Sequence, residues 1–268
     1  METLPGLREL PRKAIAEMEF HENQADAAYE FCVLQRVSAV DKDFKRVSFK
    51  FVIFDDCYFR NCKFEDCDFT GAQFKDSSFR GSCFPGSCFN YTRFRNCRIT
   101  PNLISQNLPG WENVALEFAQ GLRVNFAQTG DVDGVNRAIK AELRATRVHL
   151  RKAAWSGETH YRNKYQGLER LAFGWRSTVF EIFEFVWGNG ESLSKLFRTI
   201  ALVIVICSLV YVGQDYEFEK AIIEAVRTFL GTSTTENVVP LLHESMAASR
   251  FVLLGLFVSV LVKRLSRR

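Results

Sequence analysis

One polar segment of the chain carries the oxygen atoms that could coordinate a passing cation. It offers hydroxyl groups, one carboxylate and one amide in succession, from Thr232, Ser233, Thr234, Thr235, Glu236 and Asn237. Oxygen ligands replace the water around a cation, and rings of acidic side chains favour cations over anions. We therefore predict that this segment lines a hydrated cation pathway, provided that its neighbours cross a membrane.

Two apolar segments flank the polar segment. Residues 196–212 are apolar on every face of a helix and just long enough to cross a bilayer, although a buried helix of a soluble protein is the alternative. Residues 251–262 are too few to cross a bilayer. The segment reaches seventeen residues when it begins at Met246, provided that the Arg250 side chain extends to the membrane interface. Two membrane spans are therefore expected.

Charges around the two spans predict their orientation. The basic residues lie at or beyond the outer ends of the spans and the acidic residues between them: Lys195, Arg198, Lys263, Arg264, Arg267 and Arg268 against Asp215, Glu217 and Glu219. Positive flanks remain on the cytoplasmic side. We expect a multi-pass protein of the cell (inner) membrane that contacts lipid and has both termini in the cytoplasm.

Helices must position the polar segment. Residues 217–231 form a short amphipathic helix before it, and Pro240 follows it. Residues 131–155 and 168–186 also show helical periodicity. The second of these either packs in a core or lies along the membrane interface. Trp175 within it and Trp187 just after it favour the interface.

A second pattern recurs every five residues in the first half of the chain. Phenylalanine occupies each such position: Phe44, Phe49, Phe54, Phe59, Phe64, Phe69, Phe74, Phe79, Phe84, Phe89 and Phe94. Ile99 and Ile104 continue the series, and small residues lie two positions before most of its members. Neither a helix nor a plain strand repeats every five residues. The spacing predicts a chain that coils around its own narrow core, with Phe inside.

The repeated triplets resemble the pentapeptide-repeat family. Matching triplets are Cys57-Tyr58-Phe59, Cys62-Lys63-Phe64, Cys67-Asp68-Phe69 and Ala72-Gln73-Phe74. The resemblance implies a right-handed quadrilateral β-helix with one repeat on each side and twenty residues in each turn. Core residues of successive turns would then form ladders, such as Phe44 over Phe64 over Phe84.

The order of segments resembles pentapeptide-repeat proteins with a carboxy-terminal ion-channel domain of the potassium-channel type. Residues 185–192 and 254–262 carry this likeness. It implies a homo-tetramer with a re-entrant pore loop. Thr234, Thr235 and Glu236 stand where the family has Gly-Tyr-Gly, so the expected selectivity for monovalent cations is altered. The alternative is a non-conducting membrane-anchored scaffold that binds an unknown cytoplasmic protein through the repeat.

Other functional classes find little support in the sequence. The four His share no metal-ligand spacing, and the eight Cys mostly occupy small repeat positions or an apolar segment. We expect no enzyme activity, no metal and no cofactor. Mimicry of DNA would need an acidic surface, yet residues 29–104 carry twelve Lys and Arg against nine Asp and Glu, so no nucleic-acid-related function is expected.

These patterns predict a β + α membrane protein of four parts. Residues 1–25 form an N-terminal cap that reads as a short helix, and residues 26–108 form the β-helix. Residues 109–190 form a helical linker, and residues 191–268 form the two-span channel-like domain.

Overall fold

The structure is a computed structural model that describes residues 12–233 and 240–266. Over these residues the chain forms ten β-strands followed by eight α-helices. It divides into two compact units, Met1–Lys152 and Ala153–Arg268.

The strands of the first unit are two to four residues long. They are β1 Lys13–Ala16, β2 Gln24–Ala25, β3 Cys32–Gln35, β4 Ser38–Val40, β5 Asp43–Lys45, β6 Ile53–Asp55, β7 Tyr58–Arg60, β8 Lys63–Glu65, β9 Gln73–Lys75 and β10 Arg93–Arg95. All pairings between them are parallel, and most join residues twenty positions apart, such as Phe54 and Phe74.

Four stacked ladders close the strands into a solenoid of about four turns. One side holds β1, β3, β6, β9 and β10, the second holds β4 and β7, and the third holds β2, β5 and β8. Single bridges that connect Ala28, Ser48, Asp68 and Cys88 form the fourth side. The predicted four-sided β-helix is thus confirmed.

Phenylalanine rings fill the interior of the solenoid. Rings twenty residues apart stack almost parallel, as Phe54 and Phe74 do with centroids 4.8 Å apart, while rings on adjacent sides meet edge to face. Small residues fit between them, and three of these are buried serines. The hydroxyls of Ser77, Ser82 and Ser87 accept hydrogen bonds from backbone N–H groups of the preceding turn. These bonds satisfy polar groups inside an apolar core.

Every corner of the solenoid depends on one residue in the left-handed region. Positive φ recurs every fifth residue from Asp26 to Asn96, two positions after each core residue. Most of these corner residues are Asp, Asn or Gly, which tolerate this conformation best. The five-residue period therefore reflects a corner requirement as well as a core requirement.

The expected helical cap is wrong where residues 12–25 are concerned, because these residues form the first turn of the solenoid. Ile15 pairs with Leu34, nineteen residues on, whereas Gln24 pairs with Phe44, twenty residues on. One residue is therefore missing from this turn, and only Phe20 among its core residues is a phenylalanine. The pattern that identified later turns is lost here. Residues 1–11 lie outside the described part.

Three helices follow the solenoid: α1 Asn102–Gln106, α2 Glu112–Thr129 and α3 Val132–Trp155, of which α3 ends three residues beyond the first unit. The predicted helix over residues 131–155 is confirmed, and α2 lies within the expected helical linker, although no separate helix was predicted there. Helix α2 covers the last turn, since the Phe118 ring lies 5.9 Å from the rings of both Phe89 and Phe94. It thereby closes an end that would otherwise expose strand edges.

The second unit is helical. Its helices are α4 Thr159–Lys164, α5 Gly167–Trp187, α6 Leu193–Val212, α7 Phe218–Leu230 and α8 Pro240–Leu265. The 20 residues of α6, and 24 residues of α8 from Leu242 onward, are long and apolar enough to cross a membrane by length and composition. Both agree with the predicted spans, and the second extends further toward its N-terminus than the sequence pattern indicated.

Candidate binding surfaces

The predicted core residues lie inside the solenoid and offer nothing to a ligand. All eleven phenylalanines from Phe44 to Phe94 are at most 8% exposed. Phe69 is typical, because its ring stacks on those of Phe49 and Phe89 at 5.1 and 4.8 Å. These residues hold the fold, so binding falls to the outward positions around them.

Three aromatic residues occupy one corner of the solenoid and point outward. Phe31 and Phe51 stack with centroids 4.9 Å apart and are 56% and 40% exposed. In the next turn the Phe51 ring lies over Gly71, where an added Cβ would come within 2.5 Å of it. Tyr91 follows one turn later and is 59% exposed. We call Phe31, Phe51 and Tyr91 the aromatic corner.

The aromatic corner is costly to the fold. All three residues have positive φ, which large side chains rarely adopt, and such strain costs about 1–3 kcal/mol for each residue. Other corners of the solenoid mostly carry Asp, Asn or Gly at this position. Sequence reasoning overlooked this set because it followed the core positions. The signal was present, as aromatic residues two positions after Tyr29, Phe49 and Phe89.

Two of the six predicted pore residues are described. The Thr232 backbone N–H donates to the carbonyl of Arg227 at 2.8 Å and its hydroxyl to the same carbonyl at 3.3 Å, which closes the end of α7. The Ser233 hydroxyl donates to the carboxylate of Glu224. Thr234, Thr235, Glu236 and Asn237 lie outside the described residues.

Polar contacts join α6 and α7. The hydroxyls of Tyr211 and Thr228 lie 2.7 Å apart, and both residues are buried. Beside them Ala221 and Ala225 allow the two helices to approach closely. Glu224, one turn before Thr228, is 8% exposed. The short helix is therefore packed against the first apolar helix by a specific interface.

An arginine of the second apolar helix reaches the end of α7. The Arg250 guanidinium occupies the space where a Cβ on Gly231 would lie, 2.0 Å away, and Gly231 itself has φ +74. Helix carbonyls at a C-terminus attract a positive charge. This contact ties α8 to α7 at the point where the predicted pore segment begins.

Helix α5 presents an apolar stripe that its own unit does not cover. The stripe consists of Leu168, Leu171, Trp175, Ile182 and Phe185, which are between 51% and 83% exposed. Their spacing places them on one face of the helix. Packing of this stripe in a core is therefore wrong within the second unit, and the alternative at a membrane interface remains a prediction.

Comparisons with known proteins address the solenoid. The family described as pentapeptide repeats matches in eight copies over residues 43–81, 53–90 and 66–100. This segment is a run of pentapeptide repeats. A search of curated proteins found no match.

Two solved structures of QnrB1, a plasmid-mediated fluoroquinolone resistance protein, are similar to part of the chain. Both were trypsin-treated variants. One is 15% identical with a TM-score of 0.17, covering 33% of this chain and 54% of QnrB1. The other is 12% identical with a TM-score of 0.12, covering 34% and 64%. The chain thus spans about half of the first of them.

Thiols of the pentapeptide repeats fall into two groups. Cys83 precedes a core phenylalanine and is exposed, whereas Cys57 and Cys67 are buried. Burial raises the pKa of Cys57 and of Cys67 to about 11, because a thiolate would lose its hydration there. Over residues 12–233 and 240–266, His, Cys, Asp and Glu form no group that could hold a metal ion.

Proposed function

We propose that this chain is a membrane-anchored, non-enzymatic binding protein that holds a protein partner on its pentapeptide-repeat solenoid. The observation that carries the proposal is the aromatic corner. Phe31 and Phe51 keep their rings stacked and open to solvent at backbone positions that penalise large side chains. Exposed aromatic groups are the residues that contribute most at protein interfaces.

Crosslinking tests the partner surface directly. A photoreactive benzoylphenylalanine replaces Phe51 in the full chain, and the same residue at Asp56 on the next corner is the matched control. Both positions have positive φ and both are exposed. Irradiated cells should give one defined adduct from position 51, and Phe31→Ser should abolish it.

Identical adducts from both positions would reject the aromatic corner as the binding surface. A purified candidate from the adduct then serves in a binding titration. Its affinity should fall at least about tenfold on Phe31→Ser, since an aromatic group at the centre of an interface contributes 2 kcal/mol or more.

Membrane anchoring by α6 and α8 is the second part of the proposal. Both helices have the length and composition of a membrane span. In addition, α5 carries an exposed apolar stripe that includes Trp175. The full chain should remain in the membrane pellet after alkaline carbonate extraction. A chain with Leu202 and Leu209 of α6, and also Leu254 and Val258 of α8, changed to lysine should appear in the supernatant, because each charge opposes insertion by several kcal/mol and neither helix could then anchor the chain. Release of the unaltered chain would contradict the anchor.

A cation pathway is the second candidate function. It is favoured by the order of an apolar helix, a 13-residue helix packed on it through Tyr211 and Thr228, and another apolar helix. On this hypothesis four copies bring their polar segments together, including Glu236. Purified tetramer in a planar bilayer should then pass a weakly selective cation current that Glu236→Gln reduces and Glu219→Gln leaves unchanged. Absence of current from a verified tetramer would reject the cation pathway, and the binding function would be the remaining candidate.

A further inference from the structure

One side of the solenoid gathers positive charge without compensating acids. On the side that begins with β4 and β7, Arg60 and Arg80 follow core phenylalanines of successive turns, and Arg98 precedes Ile99. Tyr58, Ser78 and Arg98 stack directly above one another through parallel bridges. Adjacent turns lie about 4.8 Å apart, so the three guanidinium groups belong to one small area.

Several basic residues on the other sides of the solenoid have acidic partners. Lys45 and Lys63 both contact Glu65, and Lys50 contacts Asp68. By contrast, Arg60, Arg80 and Arg98 have no ion pair and donate no side-chain hydrogen bond within the described part of the chain. All three are exposed.

A groove of about 550 Å³ lies between these arginines. Its lining is entirely polar or glycine: Tyr58, Arg60, Asn61, Ser78, Arg80, Gly81 and Arg98. A neighbouring groove of about 430 Å³ shares Arg80, Gly81 and Arg98, and its one lining carboxylate, Asp131, already accepts a hydrogen bond from the Gly134 N–H at the start of α3.

The backbone of Gly81, which lines both grooves, offers a further donor. At earlier corners the N–H of the left-handed residue donates to a carbonyl of the next turn, as Asn61 does to Arg80. The solenoid does not continue above the Gly81 corner, because the residue twenty positions on is Pro101, where α1 begins. The Gly81 N–H has no acceptor among the described residues. Backbone N–H groups at left-handed corners favour anions.

We infer that this groove, formed by Arg60, Arg80, Arg98 and the Gly81 N–H, binds a phosphate-bearing anion. Guanidinium groups match phosphate oxygens through paired N–H donors, and the hydroxyls of Tyr58 and Ser78 add neutral donors. Several cations spaced along one side suit an anion with more than one charge. The phosphate comes from a soluble polyphosphate or from a phosphorylated headgroup, and both present the same oxygens.

Calorimetric titration of the full chain in neutral detergent tests the site, with sodium tripolyphosphate as the probe. The double variant Arg60→Gln and Arg80→Gln should bind at least about tenfold more weakly, because it removes two charge-assisted donors. The matched control is Lys75→Gln with Arg93→Gln, which removes the same charge from a neighbouring side. This control should bind within about twofold of the unaltered chain.

Two further measurements test whether the variants fold and which class of phosphate compound the groove binds. Cys67 should resist alkylation equally in both double variants, which shows that the solenoid is folded. Displacement of tripolyphosphate by glycerol 3-phosphate assigns the site to a phosphorylated headgroup, and failure of displacement assigns it to a soluble polyphosphate. Either result supports the site. No binding by the unaltered chain, or equal losses in both double variants, would overturn it.

Discussion

The side-chain amide of Asn125 pairs with the backbone of Cys97 as a neighbouring strand would. Its oxygen accepts from the Cys97 N–H at 2.7 Å, and its NH₂ donates to the Cys97 carbonyl at 2.8 Å. Asn125 is fully buried, and Gln128 on the same helix accepts from the Asn96 N–H at 3.0 Å near the surface. Helix α2 therefore continues the ladder of the last turn with side chains.

Replacement of Asn125 by alanine should destabilise the chain by about 2–4 kcal/mol, since it leaves a buried donor and a buried acceptor unsatisfied. Gln128→Ala is the control on the same helix. It should cost less than about 1 kcal/mol, because water can reach the Asn96 N–H. Urea unfolding followed by circular dichroism measures both. Equal costs would show that the burial of the Asn125 bonds is unimportant.

The core of the solenoid gives the second prediction. Phe69→Ala removes a ring that is fully buried between two others, and it should cost about 3–5 kcal/mol. Tyr58, which is 43% exposed on the outside, serves as the control, and Tyr58→Ala should cost little. Thermal melting of the two variants distinguishes inside from outside. A larger loss for Tyr58→Ala would reverse the assignment.

The period of five could be read from the sequence because it is set locally, by one core residue and one corner in every five. Asn125 could not be recognised in this way, since its role depends on how α2 meets an edge 28 residues earlier. The first turn was missed because one residue is absent between Phe20 and Gln24. A helical period likewise identified α3, α5 and α7, and a continuous apolar segment identified α6, without help from tertiary contacts.

The candidate sites were harder to predict than the fold. The arginine groove requires that Arg60 and Arg80 be recognised as neighbours, which follows only from a twenty-residue turn. The net charge of the repeat does not reveal this groove, because acidic residues on the other sides of the solenoid nearly balance the total. The aromatic corner was hidden for a related reason, since Phe31 and Phe51 resemble core residues in type and differ only in position.

Buried thiols make the solenoid sensitive to alkaline solution. The pKa of Cys57 and of Cys67 is raised to about 11 from the model-peptide value of 9.0, so above pH 9 the unfolded chain loses these protons while the folded chain keeps them. Stability therefore falls as pH rises from about 9 to 11, by up to about 2.7 kcal/mol for each thiol.

The double variant Cys57→Ala and Cys67→Ala should show a shallower fall over this pH range, since alanine does not titrate and Ala72 already occupies the equivalent position. Cys83→Ala, at an exposed position, should follow the unaltered chain. Urea unfolding at pH 8 and at pH 10.5 provides the measurement. If all three chains lose stability in parallel, other groups control the alkaline transition.

The contact between Gly231 and Arg250 gives a prediction for the second unit. Gly231→Ala places a side chain at φ +74 and against the guanidinium, so it should cost more than about 1 kcal/mol. Gly255→Ala lies in α8 with open space around its Cβ and should be neutral or slightly stabilising. The melting temperature in detergent compares them. Equal melting temperatures would mean that Arg250 does not hold the end of α7.

The orientation of the two apolar helices is tested by labelling in cells. The starting chain has Cys83 and Cys88 changed to serine, and one new cysteine replaces Glu217 or Ser266. The outer ends of the helices carry Lys195, Arg198, Lys263 and Arg264, so those ends should face the cytoplasm. An impermeant maleimide should label Glu217→Cys in intact cells, and should label Ser266→Cys only after permeabilisation. Labelling of Ser266→Cys in intact cells, with Glu217→Cys protected, would invert the proposed topology.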